Sequence, residues 1–329
     1  MREAAHVPRC ASSLGTIHPD MTRNTLITGL ALLALAACRK TENDQGVVPT
    51  PTLHALTSVF ADNVANATQS FSVSAATGGV VQGADGTRIL FGPGAFRDAQ
   101  GNAVTGTVDV GLVEVLTIAD MLWLNKQTVG MQNGQRAFLK SGGELRLTAE
   151  QGGASLRLAP GATSVSVPYT AAPDPNMQLF LAQPDANGTL VWNPFGNGPV
   201  PLDTIGYLFP NDTLDWINVD QFANWTGTRT DVEITMPADY LFQNTKLWVV
   251  FPSTNSVADV YTFDNGSFTL TGNYQLPVGL DVHFVALHDA GNDTFTSAFA
   301  SLTVTSGLAL TLTFAPTTLL QWQADCNAL

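Results

Sequence analysis

The side chains that could do chemistry in this sequence are mostly carboxylates. The chain of 329 residues has 27 Asp plus Glu, but only five His and three Cys. Glycoside hydrolases use paired acids, so Asp109 with Glu114, and Asp215 with Asp220, are the first pairs to consider. A spacing of five places two side chains on opposite faces of a strand. We therefore expect neither pair to form a catalytic site.

The histidines and the common catalytic motifs point the same way. His283 and His288 are also five residues apart, so on one strand they cannot share a metal ion, and His54 lies in a polar N-terminal stretch. The run DAGND at 289–293 has oxygen ligands for Ca²⁺ but lacks the length and the glutamate of an EF-hand loop, which favours a solvated turn. No G-x-S-x-G or H-E-x-x-H motif occurs. We expect no catalytic residue, no metal and no cofactor.

Cys38 is the residue with a predicted covalent modification. It follows an apolar run at 26–37, which is shorter than the roughly 20 residues that span a bilayer. Met21 and Arg23 precede this run, which completes the layout of a secretory signal. Residues 35–38 read LAAC, which resembles the lipobox of bacterial lipoproteins. The resemblance implies an over-long gene start at 1–20, a signal peptide at 21–37 and lipidation of Cys38. The alternative is a short core helix that ends at a buried cysteine.

The charge and the cysteine content argue against nucleic acid binding and against disulfide bonds. The formal net charge is −13, which repels phosphate backbones, so we expect no nucleic acid binding. With Cys10 in the leader and Cys38 lipidated, Cys326 is the only remaining cysteine, and no intramolecular disulfide is expected. Cys326 lies in a polar tail, where we expect a loosely held free thiol.

The elements that must position any site are predicted to be strands. From Phe71 onward, apolar residues alternate with polar ones and turn dipeptides recur every 8 to 12 residues, a pattern typical of antiparallel sandwiches. Residues 247–251 are apolar on both sides and predict a central strand, and the stretch 308–314 alternates clearly. Residues 118–124 fit either a short helix or a crossover loop.

The domain organisation follows from composition. A Pro- and Gly-rich cluster at 193–201 predicts a boundary between two β-rich blocks. The expected fold class is all-β, with two antiparallel β-sandwich (immunoglobulin-like) domains after a lipoprotein signal and a tether. The expected ranges are a tether at 38–70, β-sandwich domain 1 at 71–200, β-sandwich domain 2 at 214–316 and a tail at 317–329.

Several short motifs resemble one family. The strings DGT at 85–87, GPGAF at 92–96, ADML at 119–122, SGGE at 141–144 and WINVD at 216–220 are similar to segments of uncharacterised Bacteroidota-type envelope lipoproteins. Val219 stands where that group often has a cysteine. The resemblance implies β-sandwich modules used for presentation or contact, and it implies no activity for any residue.

These observations predict a lipid-anchored outer-membrane or cell-surface protein with a structural, adhesive or ligand-binding role and no catalysis. The alternative is a carbohydrate-active or other hydrolytic accessory lipoprotein whose acid pair is hidden by sequence spacing. The expected partners are the membrane, through the lipid anchor, and a glycan or an envelope protein. Within the loop 221–230, Phe222, Trp225 and Arg229 are the candidate contact residues. The competing interpretation is that Phe222 and Trp225 plug the end of a sandwich.

Overall fold

Strands dominate the computed structural model of the chain, which describes residues 56–184 and 190–329. The prediction of an all-β protein is confirmed. In these ranges the helices are α1 Leu56–Ala67, α2 Ile118–Trp123 and α3 Leu319–Cys326, with 3₁₀ turns at Pro252–Thr254 and Gly272–Tyr274. The strands are β1 Gln69–Ser74, β2 Gly79–Gln82, β3 Arg88–Phe91, β4 Phe96–Arg97, β5 Thr107–Val115, β6 Val129–Gln132, β7 Gln135–Gln151, β8 Ala154–Ser155, β9 Arg157–Leu158, β10 Thr163–Pro168, β11 Gln178–Pro184, β12 Leu190–Pro199, β13 Gly206–Pro210, β14 Asp215–Phe222, β15 Arg229–Thr230, β16 Val232–Thr235, β17 Thr245–Phe251, β18 Ser256–Asp259, β19 Thr262–Asp264, β20 Ser267–Leu270, β21 Leu276–Pro277, β22 Asp281–Gly291, β23 Thr294–Thr303, β24 Leu308–Thr311 and β25 Ala315–Thr317.

The first block of strands forms one large and one small sheet. The large sheet runs β1-β5-β7-β14-β11-β12-β6, with β8 paired to β7. Because β6 pairs with both β12 and β7, the path from β7 through β14, β11 and β12 returns to β7 and leaves few open edges. The small sheet runs β13-β10-β3-β2. An apolar cluster that draws on both sheets, including Ile89, Leu112, Leu147 and Val165, forms the core of this block.

The second block contains a four-stranded sheet, β19-β20-β16-β24, and a five-stranded sheet, β18-β17-β22-β23-β25. Each block also has one two-stranded sheet, β4-β9 in the first block and β15-β21 in the second. The strand β17 lies between β18 and β22, and its residues from Leu247 to Phe251 are buried on both faces. This confirms the predicted central strand. The residues 118–124, for which a helix and a loop were both open, contain the helix α2, capped by Thr117.

Two of the predicted turn dipeptides close two-residue hairpins. Asn133 and Gly134 join β6 to β7 with φ of 53° and 76°, and Asn265 and Gly266 join β19 to β20 with φ of 49° and 79°. Positive φ at both positions is what a type I′ turn requires, and Asn and Gly reach it at the lowest cost.

The predicted tether at 38–70 is wrong from Leu56 onward. The helix α1 occupies Leu56–Ala67 and buries Leu56, Val59 and Phe60, and β1 begins at Gln69. The polar composition of the segment hid this short apolar face, which becomes visible only when the sheet that it covers is present. The lipobox and Cys38 lie outside the described residues. No helix among those described is long and apolar enough to cross a membrane.

The boundary predicted at 193–201 is also misplaced. Most of that cluster belongs to β12, which pairs with β11, and the following β14 pairs with β7 and β11 of the large sheet. Part of the range predicted for domain 2, 214–316, therefore completes the sheet of the first block. All of the described residues fall in one compact unit.

The predicted tail at 317–329 contains α3, which packs into the core. Trp322 is fully buried, and its ring lies 5.8 Å from that of Trp248 and 5.9 Å from that of Trp123. Cys326 is buried as well, so the expected loosely held thiol is wrong, and burial raises the pKa of this thiol to about 12. A thiol with that pKa is protonated at neutral pH and is a poor nucleophile.

Replacing Trp322 tests whether α3 belongs to the fold. We expect Trp322→Ala to lower the free energy of unfolding by about 3–5 kcal/mol, because it leaves a large cavity among aromatic rings. Leu320, which is 77% exposed on the same helix, is the control, and Leu320→Ala should change stability by less than about 0.5 kcal/mol. Urea unfolding of the two variants measures the difference. Equal stability of both would show that α3 does not contribute to the core.

Candidate functional site

The three residues proposed as a contact loop do not present their side chains on one exposed surface. The Phe222 ring lies 5.5 Å from that of Phe180, and the Trp225 ring lies 4.7 Å from that of Phe251, in a different apolar cluster. Arg229 is exposed and donates to the backbone oxygen of Gln275 at 2.9 Å. The two aromatic side chains therefore contribute to packing, which supports the plug interpretation for both.

The acid and histidine pairs considered from sequence do not converge. Asp215 is exposed and pairs with Arg146, whereas Asp220 is buried on the same strand. His283 lies beside Ser301, and the buried His288 stacks on Tyr240, 3.7 Å between ring centroids. Of the DAGND run, only Asn292 and Asp293 form the turn between β22 and β23, and both are exposed. Residues 289–291 belong to β22 and Asp289 is fully buried, so the predicted solvated turn is correct for the last two residues only.

A different acid pair comes together inside the protein. Glu144 on β7 lies directly opposite Asn218 on β14, and Asp220 lies opposite Ser141. Between these two pairs, β7 has two residues, Gly142 and Gly143, where β14 has one, so β7 contains a bulge.

Glycine is required at both positions of the bulge. A Cβ at Gly142 would lie 2.6 Å from the backbone oxygen of Val219, and Gly143 has a φ of 119°. The motifs SGGE and WINVD, which are far apart in sequence, therefore form one buried polar cluster. The sequence carried this signal in the motifs, but it gave no indication that they pair.

The two carboxyl groups of this cluster are in different environments. Asp220 accepts from the Asn218 side-chain amide at 2.7 Å and from the backbone N–H of Gly142 at 3.3 Å. Neither carboxyl oxygen of Glu144 has a hydrogen-bond partner among the described residues. Both side chains are completely buried, and burial raises the pKa of each well above its usual range. The nearby charge of Asp220 raises the pKa of Glu144 further, and the charge of Lys126 lowers it by less than burial raises it.

We infer that Glu144 holds a proton. Asn218 uses its amide N–H to bind Asp220, so its Oδ1 is left as an acceptor, and this oxygen also has no partner among the described residues. A protonated Glu144 carries the donor that this oxygen lacks, and the two residues are direct cross-strand neighbours. Lys126 lies 4.5 Å from the centre of the Trp216 ring, and burial lowers the pKa of its ammonium. Because Glu144 and Asp220 are completely buried, no substrate reaches them in this structure.

The DGT motif has a comparable structural role. The carboxylate of Glu114 on β5 accepts from the backbone N–H of Thr87 at 2.8 Å and of Asp85 at 3.0 Å, and from the Gln69 side chain at 2.9 Å. A Cβ at Gly83 would overlap this carboxylate, at 2.2 Å. Glu114 therefore holds the turn that leads into β3.

The outer face of the small sheet carries a trough, which we define as the groove along β10. Its floor is made by Ser164 and Ser166, whose side chains are small. Ser164 lies between Leu90 of β3 and Pro210 of β13, its partners on the two neighbouring strands. Ser166 lies in the same way between Arg88 and Leu208. Neighbouring strands are about 4.8 Å apart, so the backbones of β3 and β13 are about 9.5 Å apart, with only the small serine side chains of β10 between them.

The trough is apolar for an exposed surface. Val80 is 56% exposed, Leu90 52%, Ile205 51% and Leu208 38%, and together with the serines, Arg88 and Asp203 they line a cleft of about 190 Å³. Arg88 is exposed and has no ion-pair partner among the described residues. No local pattern in the sequence predicts this surface, because Leu208 lies on β13, far along the chain from Val80 and Leu90 on the hairpin of β2 and β3.

A second and larger cleft lies beside the same sheet. It has a volume of about 500 Å³ and is formed by the β12 segment from Phe195 to Pro199, the residues that follow it, and the segment from Phe209 to Asp212. The first of these segments lies in the Pro- and Gly-rich cluster that was predicted from sequence to mark the boundary between two β-rich blocks.

Comparisons with known proteins do not assign this chain to a family. No protein-family model matches the chain, and no curated protein matches it.

The protonation of Glu144 can be tested with Glu144→Gln. Because the folded state holds the Glu144 proton more tightly than the unfolded state, this contribution to stability is full below about pH 4 and is lost as the pH rises toward the raised pKa. Glutamine keeps the shape and cannot ionise. The variant should therefore be more stable than wild type at pH 8, by about 1.4 kcal/mol for each unit of pKa shift that lies below that pH.

Urea unfolding between pH 4 and pH 9 measures this effect, with Glu150→Gln, an exposed position on the same strand, as the control. If Glu144→Gln destabilises the protein at every pH, then Glu144 is ionised in the folded state and the inferred proton is wrong.

Proposed function

We propose that the protein is a lipid-anchored envelope protein of the outer membrane or cell surface that binds another protein without catalysis. In this proposal Cys38 carries the anchor, the residues between it and α1 are the tether, and the two blocks of sheets are sandwich-like modules of immunoglobulin type. The trough on the small sheet is the contact surface. The alternative, a hydrolytic accessory protein, loses its best acid pair because Glu144 and Asp220 are buried.

The exposure of aliphatic side chains on the trough is the observation that carries the proposal. Elsewhere in this sheet alternate residues, such as Ile89, Val165 and Phe209, are buried in the core. Their neighbours on the outer face of an antiparallel sheet are expected to be polar. Leu90 and Leu208 are instead aliphatic and exposed on either side of two serines. A contiguous apolar patch of this kind marks an interaction site.

The shape and charge of the trough indicate the partner. The cleft, about 190 Å³ in volume, is too small to bury most of a lipid or a drug-sized ligand, whereas an extended polypeptide segment can lie along the trough and place alternate side chains over the two serines. Arg88 supplies a guanidinium on one wall that has no ion-pair partner among the described residues, and guanidinium groups form bidentate hydrogen bonds with carboxylates. The proposed partner segment is therefore extended, aliphatic at alternate positions, and acidic at the position that faces Arg88.

Photo-crosslinking in intact cells tests this surface. A benzophenone amino acid placed at Leu90 or Leu208 should yield a discrete adduct with one envelope protein, and the same group at Glu233, exposed on β16, should not. Arg88→Glu should weaken the adduct at least tenfold by reversing the charge, and Ser166→Trp should abolish it by filling the trough. Both sites are exposed or half-buried on a strand face, so both variants should keep the wild-type melting temperature.

Two outcomes would contradict the proposed partner. Equal crosslinking at Glu233 and Leu208 would show that the trough has no special affinity. An adduct with the mass of two copies of this chain would identify the occupant as a second copy.

The anchor is tested separately with Cys38→Ser. Each buried methylene of an acyl chain contributes about 0.8 kcal/mol, and more than one chain is needed for stable membrane binding. The variant should move to the soluble fraction or remain unprocessed, as measured by fractionation and mass spectrometry of the N-terminus. Normal cleavage together with retention in the membrane would show that Cys38 is not the anchor.

A further inference from the structure

The larger cleft is built by an unusual irregularity in β12. Gln178 of β11 pairs with Pro199, but the next residue, Leu179, pairs with Phe195, so β12 contains three extra residues at this point. They are Gly196, Asn197 and Gly198, and the two glycines have φ of 85° and 134°. This large bulge lines the cleft and forms one of its walls. Bulges often occur beside binding sites, because they redirect side chains that a regular strand would hold in the sheet.

The opposite wall is held in place by the loop after β13. The backbone N–H of Asn211 donates to the oxygen of Thr163 at 2.8 Å, and the Asn211 side chain donates to the backbone oxygen of Thr213 at 2.8 Å. The Thr213 hydroxyl donates to Oδ1 of Asn211 at 2.9 Å. Asp212 lies between these two anchored residues, and it is exposed. Its carboxylate therefore stands on a fixed backbone at the rim of the cleft.

The lining of the cleft combines an apolar floor with a small number of polar groups. Val200 and Phe209 are buried in the floor, and the Phe195 ring on the rim is 43% exposed. Asn197 and Asp212 are the polar side chains on the exposed rim. A volume of about 500 Å³ with this composition is within the range of small-ligand sites, which is roughly 300–1,000 Å³.

The charge of the lining limits the ligand. No Lys, Arg or His lines the cleft, and the whole chain has a net charge of −13, so an anionic ligand would be repelled. An amide both donates and accepts, and a carboxylate accepts, so the rim can bind hydroxyl groups in either direction. The exposed ring offers a flat apolar surface beside these groups. Those three features together match a molecule that is uncharged, rich in hydroxyls and apolar on one face.

We propose that this cleft binds a neutral saccharide, with one sugar ring stacked on Phe195 and hydroxyls bound by Asn197 and Asp212. The prolines on the rim, Pro199 and Pro210, have a fixed φ, which keeps the walls in place before the ligand binds. This cleft adjoins the trough at Pro210, but the residues proposed to bind the sugar, Phe195, Asn197 and Asp212, do not line the trough. The two proposals can therefore succeed or fail independently.

Calorimetry and saturation-transfer NMR with a panel of neutral gluco-, manno-, galacto- and xylo-oligosaccharides test the proposal. At least one member of the panel should bind the wild-type protein, and Phe195→Ala should weaken that binding at least tenfold while the melting temperature stays unchanged. Asp212→Asn should weaken it only a few-fold, because the amide oxygen still accepts a hydrogen bond. Phe242→Ala is the matched control, since Phe242 is an exposed phenylalanine, 51% accessible, outside the cleft, and it should have no effect.

The same experiment includes the results that would overturn the proposal. Binding of a neutral sugar that Phe195→Ala leaves unchanged would place the sugar elsewhere. No binding by any member of the panel at 10 mM would reject a neutral saccharide. Choline is the cationic probe, because a cation could use the same ring and carboxylate. Choline binding that falls with added salt and is lost in Asp212→Asn, in place of sugar binding, would identify the site as one for a cation.

Discussion

The burial of one aromatic cluster between the two blocks of sheets is the interaction on which the rest of the structure depends. Trp248 of the central strand β17 is fully buried, and the rings of Phe60 and Trp322 lie within about 6 Å of it. The cluster also takes residues from the large sheet, including Val113 and Trp192. All three helices and sheets of both blocks thus share one apolar core. Each large side chain in it contributes several kcal/mol, which exceeds what a short isolated helix contributes by its own propensity.

Hydrogen bonds between the two blocks of sheets determine how the blocks are positioned relative to each other around this cluster. The Trp248 indole N–H donates to the side-chain oxygen of Asn125 at 3.1 Å. Thr128 donates its backbone N–H to the oxygen of Val257 at 2.8 Å, and its hydroxyl accepts from the Val257 N–H at 2.9 Å. The bonds between Thr128 and Val257 are buried, so a misaligned arrangement would leave buried donors unpaired at a cost of about 1–3 kcal/mol each. Apolar burial therefore supplies most of the stabilisation, and the polar contacts select one relative position of the strands.

Local patterns in the sequence were sufficient to predict where several strands lie, but not which strands pair with each other. The apolar run at 247–251 and the alternation at 308–314 depend on neighbouring residues. The first was predicted correctly as a central strand, and in the second the strand β24 forms but ends at Thr311. The position of β14 depends on pairing with β7, about 70 residues earlier, and no local pattern encodes that. The helices α1 and α3 were missed because each has only a few apolar residues, and their pattern becomes meaningful only beside the aromatic cluster that they cover. The Pro- and Gly-rich stretch at 193–201 was predicted to be a boundary, because Pro and Gly usually end strands. It lies mostly in β12, whose large bulge accommodates these residues.

Both candidate binding surfaces include residues of the strand β13. This strand has only five residues, and successive side chains serve different purposes: Leu208 faces the trough, Phe209 is buried beside the larger cleft, and Pro210 is on the rim. Pairing with β10 along the whole strand and the bond from Asn211 to Thr163 hold its backbone in place. A rigid strand lets exposed aliphatic side chains keep a fixed geometry, so a partner pays little to order them on binding. The apolar residues that the core does not use are therefore presented by an edge strand whose backbone is paired with β10 along its whole length, which is an arrangement that suits a preformed contact surface.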